Sequence, residues 1–282
     1  MSVTIRKATR LDLQHMIDWA ASEGWNPGLD DLPAFWLADP AGYHVLERDG
    51  RIVSAISLVH HQHDFAFLGF YIVDPELRGQ GYGHRLWQDV LAESQAITIG
   101  LDGVVDQQAN YTRSGFALAH RNRRFGGNPQ WQRVSVRDAI APVPMEMLEQ
   151  VIAYDARHSP SPRADFASAW YSDTDTRHSL LLTDDRGTIR GLGTIRACRE
   201  GCRIGPLFAD DAEKAAALFS QLLTHAGDGP VYIDCPEPNG EAEALARKAG
   251  LAPVFETARM YRGTMPSLPL ERIFGITTFE LG

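Results

Sequence analysis

The stretch Val73-Asp74-Pro75-Glu76-Leu77-Arg78-Gly79-Gln80-Gly81-Tyr82-Gly83 sets three alternating glycines and an arginine where an apolar run gives way to a helical pattern. Those residue types suit a phosphate. Glycine lets successive backbone N–H groups turn to one side, the first amides of a helix carry positive partial charge, and Arg78 adds a fixed cation. The two commoner nucleotide loops do not fit, because His84 stands where a dinucleotide fingerprint needs its third glycine and no Gly-Lys-Ser/Thr follows. A second feature is electrostatic: between Leu11 and Glu47 lie Asp12, Asp18, Glu23, Asp30, Asp31, Asp39 and Glu47, with no Lys or Arg. That window reads either as a solvated helical surface or as an acidic mouth drawing in a cationic substrate. His60-His61-Gln62-His63 reads as a polar turn before a metal site, since neighbours on a strand point to opposite faces.

Composition narrows the function classes. At 282 residues the chain has room for two domains, each with its own core. A formal net charge of −9 argues against nucleic acid as the main partner. No apolar run approaches the ~20 residues of a membrane span. The segment Met1-Ser2-Val3-Thr4-Ile5 lacks the apolar core of a signal peptide, so no membrane partner and a cytoplasmic location are expected. Three cysteines make no disulfide framework, and Cys198 and Cys202, either side of the turn Arg199-Glu200-Gly201, lack a second ligand pair for zinc. No metal is expected.

The elements that must position these groups follow from periodicity. A strand at Thr4–Arg6 leads to a helix from Leu11 to about Glu23, with Leu13, Met16, Ile17 and Ala20 on one face, and to a short helix over Leu32–Leu37. Segments 43–47, 51–60 and 65–73 form an antiparallel meander. After the glycine loop come a helix carrying Leu86, Trp87, Val90 and Leu91, a strand at 97–101, a short helix at 107–114 and a strand at 117–125. Gly126-Gly127-Asn128-Pro129 marks a boundary. Beyond it the order repeats: a strand at 134–137, helices at 145–154 and 166–171, strands at 180–183, 189–197 and 203–208, a helix at 212–223, a strand at 231–234, a helix at 241–249 and a strand at 254–261. The apolar segment 272–281 reads as a further strand closing one sheet.

Strand, Asp-Pro step, Arg78 and alternating glycines together resemble the Arg/Gln-x-x-Gly-x-Gly/Ala signature of the GNAT family of acyl-CoA-dependent N-acetyltransferases, and Tyr111-Thr112-Arg113-Ser114-Gly115-Phe116 is similar to that family's Tyr-x-x-x-Gly-Phe. The resemblance implies an α/β fold of two GNAT-like domains, each a mixed, mostly antiparallel sheet flanked by helices. Residues 1–127 would be the catalytic domain, 128–133 a linker and 134–282 a degenerate second domain. It further implies acetyl-CoA as co-substrate, held by Ile72, Val73, Arg78, Gly79, Gln80, Gly81, Tyr82, Gly83 and Asn110. Asn110, next to Tyr111, is the candidate to substitute for the family's asparagine, whose position is Val104 here. Tyr111 would serve the departing thiolate.

The acceptor expected is a primary amine on a small molecule. Trp25, Asn26 and Asp30 are its candidate binding residues, though Trp25 equally suits a loop anchor. A base must take the amine's proton, and the family's strand glutamate is replaced here by Phe70 or Tyr71. Glu23 is the catalytic candidate, with Asp30, His60, His61, His63 and Asp64 as others. In the second half Ala209-Asp210-Asp211-Ala212-Glu213 offers acids and no glycine where the first has its loop, so cofactor binding is expected only once. That half is then a lid, a specificity element or a surface for a homodimer. Asp155, Arg157, His158 and Arg163 either reach the acceptor cleft or pair on the surface. Two rival functions stay open: a non-catalytic acyl-CoA sensor, and an N-acyltransferase using a longer acyl group or a peptide N-terminus.

Overall fold

Val3–Lys7 (β1) runs into Thr9, whose hydroxyl accepts from the Asp12 amide at 3.2 Å while Asp12 accepts from the Thr9 amide at 2.7 Å. This capping box starts the helix Arg10–Ser22 (α1) and fixes its register, so Leu13, Met16, Ile17 and Ala20 are its buried face. The computed structural model describes residues 2–132, 134 and 136–282. Leu32–Ala38 (α2), Tyr43–Arg48 (β2), Arg51–Gln62 (β3), Phe65–Val73 (β4), Tyr82–Glu93 (α3), Thr98–Val104 (β5), Gln108–Arg113 (α4) and Ala117–Gly127 (β6) complete the first half. The second comprises Ala139–Pro142 (β7), Leu148–Asp155 (α5), Ala164–Trp170 (α6), Arg177–Thr183 (β8), Ile189–Ala197 (β9), Cys202–Ala209 (β10), Ala212–Leu222 (α7), Val231–Pro236 (β11), Gly240–Lys248 (α8), Ala252–Arg262 (β12) and Ile273–Gly275 (β13).

Among the described residues the strands form one mixed, mostly antiparallel sheet in the order β1-β2-β3-β4-β5-β12-β6-β11-β10-β9-β8-β7, with β13 beside β10. The closing strands of the two halves are exchanged. β12 lies against β5, with Thr257 opposite Val104 and Arg262 opposite Ile99, while β6 lies between β12 and β11. A buried bidentate pair pins the exchange: Arg259 on β12 donates to both oxygens of Asp102 on β5, at 2.8 and 2.6 Å, and Asn122 on β6 donates to the same carboxylate at 2.8 Å. The largest core also ignores the boundary, since Phe35 of α2 stacks on Trp170 of α6 with ring centroids 6.3 Å apart.

Two expectations need correction. Val134 and Val136 are not in a strand, and the first strand of this half is β7; Arg133 of the expected linker and Ser135 of that expected strand lie outside the described residues. The strand foreseen over 272–281 shrinks to β13, after which residues 276–282 leave the sheet and pass between the halves.

Candidate active site

Parallel pairing of β4 with β5 runs from Phe65/Thr98 to Leu68/Leu101 and stops. Beyond it β5 continues with β12, while β4 carries a bulge in which Phe70 and Tyr71 face the single residue Ile56 of β3. Phe70 takes φ +47°, a strained value for a bulky side chain. The splay opens a cavity of about 580 Å³ walled by residues 69–73 of β4 and 102–104 of β5. Backbone of β4 in this stretch has no β5 partner and faces the cavity, as a chain-like ligand would require.

One end of the cavity is the glycine loop. Asp74 is buried, accepts from the Glu76 amide at 3.0 Å and holds Arg51 at 2.5 Å, so the Asp-Pro step turns the chain sharply out of β4. Gly79 and Gly81 take φ +77° and +85° with open space where a Cβ would stand, so it is backbone conformation that requires glycine there. Gly81 caps α3 without any side-chain oxygen, which leaves the first amides of a 12-residue helix available to an anion. At the matching place in the second half Asp211 caps α7 itself, accepting from the Lys214 amide at 2.9 Å, and that helix start is already satisfied. Tyr111 stands on α4 at the cavity wall, its ring stacked on Trp87 at 5.6 Å and lying over Gly103. Burial pushes its phenol above the ordinary tyrosine range, so it stays protonated near neutral pH and can donate a hydrogen bond.

Residues 10–116 match the model of the "Acetyltransferase (GNAT) family", and residues 151–275 match that of an "Acetyltransferase (GNAT) domain". Over 281 residues the chain is 32% identical to the holothin acyltransferase of Pseudoalteromonas sp. (strain SANK 73390), covering 99% of this chain and 94% of the relative. The chain belongs to the GNAT acyltransferases. Its fold is similar to that of a putative acetyltransferase from Pyrococcus horikoshii, with TM-score 0.80, 18% identity and coverage of 99% of this chain and 96% of that one. It is also similar to a tandem GNAT protein from the clavulanic acid biosynthesis pathway, with TM-score 0.64, 14% identity and coverage of 94% and 100%.

This GNAT acyltransferase gathers most of the residues singled out from sequence. Glu23, Trp25, Ile72, Val73, Arg78, Gly79, Gly81, Tyr82, Gly83 and Tyr111 all line the cavity. Gln80 is exposed on the loop without lining it, and Asn110 points its amide to Gln107 and accepts from Arg113. Asn26 is a clip between the halves, donating to the Glu200 carbonyl at 2.8 Å and accepting from the Glu200 amide at 2.9 Å. Asp30 lies off the cavity, its carbonyl accepting from Arg177 at 2.5 Å. Glu23 forms an ion pair with Arg78, which also donates to the Val73 carbonyl at 3.2 Å; this carboxylate therefore belongs to the glycine-loop end of the cavity.

Most acids of the window from Leu11 to Glu47 are paired within the fold, which leaves little free charge for an acidic mouth. Asp12 and Glu47 hold Arg6, Asp18 holds Arg199, Asp31 holds Arg177 and Arg196, and Asp39 accepts from His60. Asp155 and Arg163 are likewise neither a surface pair nor in the cleft. They form a buried ion pair at 2.9 Å, and Arg163 also donates to Thr277 and to the Gly282 carbonyl, latching segment 276–282. His61 donates to the Leu281 carbonyl at 2.8 Å. Among the described residues no group of three or more His, Cys, Asp or Glu could hold a metal.

Sequence reasoning missed the far end of the cavity. Phe255 and Thr257 come from β12, and Phe279 and Glu280 from segment 276–282. A lone acid inside the apolar run Ile276–Leu281 was the available signal.

Proposed function

We propose that this acyltransferase moves the acetyl group of acetyl-CoA to the primary amine of a small molecule by direct attack in a ternary complex. One continuous cavity that joins a glycine-loop anion site to a protonated phenol and then to an aromatic-walled end carries this reading. The co-substrate supplies an activated thioester. The free amides of α3 and the loop suit its diphosphate, and the edge of β4 left without a β5 partner suits the chain that follows. The Tyr111 hydroxyl donates to sulfur as it leaves, and alignment of the two reactants along one cleft removes much of the entropic barrier. The full-length relative is named for acylating holothin, and from it we take only that the acceptor is a small molecule.

Thiol release from acetyl-CoA with a panel of primary amines tests the reading. Tyr111→Phe is expected to lower kcat by roughly 10²-fold or more while calorimetric affinity for acetyl-CoA holds. Tight binding of acetyl-CoA without turnover on any amine would overturn it. Competition among acetyl-, butyryl- and octanoyl-CoA decides the acyl group, for which the relative's name leaves longer chains open.

A further inference from the structure

Glu280 is a buried carboxylate without a hydrogen-bond partner among the described residues. It is 2% exposed, and among the described residues neither of its oxygens has a hydrogen-bond partner, yet the residue forms part of the cavity wall. A buried acid ordinarily has an ion pair or several donors, as Asp31, Asp155 and Asp234 do in this same molecule. Its backbone lies directly on Gly69 of β4, so closely that a Cβ at Gly69 would run into the Glu280 carbonyl. Gly69 stands in the middle of β4, next to the bulge at Phe70 and beside Leu68, where β4 and β5 part, four residues before the strand ends at Val73 and the glycine loop follows. Trp25, Phe255 and Phe279 line the same cavity.

We propose that Glu280, carried by the closing segment of the second half, is the general base that takes the acceptor's proton. The inference rests on the amine-acetylation reading above. In the step, the neutral amine nitrogen bonds to the acyl carbon and an N–H proton passes to a Glu280 oxygen. The C–S bond breaks with its electron pair on sulfur, which takes a proton from the Tyr111 hydroxyl; solvent restores that proton and removes the one on Glu280. The charged groups facing Glu280 are Arg203 of β10, Asp31 at the start of α2, Arg196 of β9 and Arg124 of β6. Desolvation outweighs those arginines and lifts the carboxyl above the ordinary glutamate range, towards the value a base needs near neutral pH. Glu23, held by Arg78 at the other end, is then free to serve the loop.

The test uses the full chain, acetyl-CoA and 2-phenylethylamine, chosen because its ring suits the aromatic walls. Glu280→Gln is expected to lower kcat/KM for the amine by about 10²-fold or more and to abolish the acid limb of its pH profile, with acetyl-CoA affinity held within about threefold. Formate added to Glu280→Ala is expected to restore part of the rate. A structural reading predicts a less stable Glu280→Gln protein, whereas removal of a buried charge without hydrogen bonds predicts an unchanged or higher Tm above neutral pH. Glu280→Gln that keeps kcat/KM within about threefold, with the wild-type pH profile, overturns the proposal and leaves the reading beneath it standing. Wild-type protein that binds acetyl-CoA but acetylates no amine overturns both.

Discussion

Arg78 and Glu23 show how one pair can carry two opposed readings. In the sequence they read separately as a phosphate-binding cation and a base, but in the fold they form an ion pair on the rim of the cavity. Half of the Arg78 side chain is exposed, so the pair is screened and each partner can be exchanged for a ligand. Glu23→Gln releases Arg78 towards the diphosphate and is expected to tighten acetyl-CoA binding several-fold while kcat stays within about threefold. Calorimetry with steady-state kinetics checks this, and a kcat fallen by roughly 10²-fold or more would return the base to Glu23. The glycine loop and Tyr111 were legible because each lies in a contiguous motif whose spacing has a mechanical reason. Glu280 was not, since its meaning comes from Gly69 and the β4–β5 splay, which share no sequence neighbourhood with it.

At the scale of elements, periodicity located the strands and helices but could not name their partners. α1 was readable down to its four buried residues, because capping and one apolar face are local properties. Segment 276–282 was not, since an apolar run fits a strand as well as an extended strap held by side chains from elsewhere. His61 and Arg163 hold that strap, and His61 makes it sensitive to acid. Desolvation, with Arg163 nearby, lowers the imidazole from 6.5 to about 4. A histidine harder to protonate in the folded state contributes stability that is complete above its unfolded pKa and is lost as pH falls through 6.5 towards 4. His120, also lowered to about 4, acts in the same direction. Thermal unfolding is therefore expected to show Tm falling over that interval. His61→Gln keeps a neutral donor for Leu281 and should show a shallower fall; equal slopes would remove His61 from the account.

For the whole molecule, the two GNAT matches suggest two bodies in tandem, yet the exchanged strands make each half complete the other's sheet. The first half owns the glycine loop and Tyr111, while β12 and segment 276–282 of the second supply the far wall of the same cavity. Neither the shared core around Phe35 and Trp170 nor the Asp102–Arg259–Asn122 cluster can be kept when one half opens alone. The chain should therefore unfold as one cooperative unit, and calorimetry should show a single transition. Arg259→Gln, which strands a buried carboxylate, is expected to cost about 3–5 kcal/mol and to move that single transition down by roughly 10 °C. It should not split the transition, because Asp102 and Arg259 belong to different halves and their loss weakens both. Two resolved transitions in the wild type, or a variant in which only one half melts early, would show that exchanged strands do not suffice to couple the halves, and the cavity's far wall would then be able to open independently of the loop.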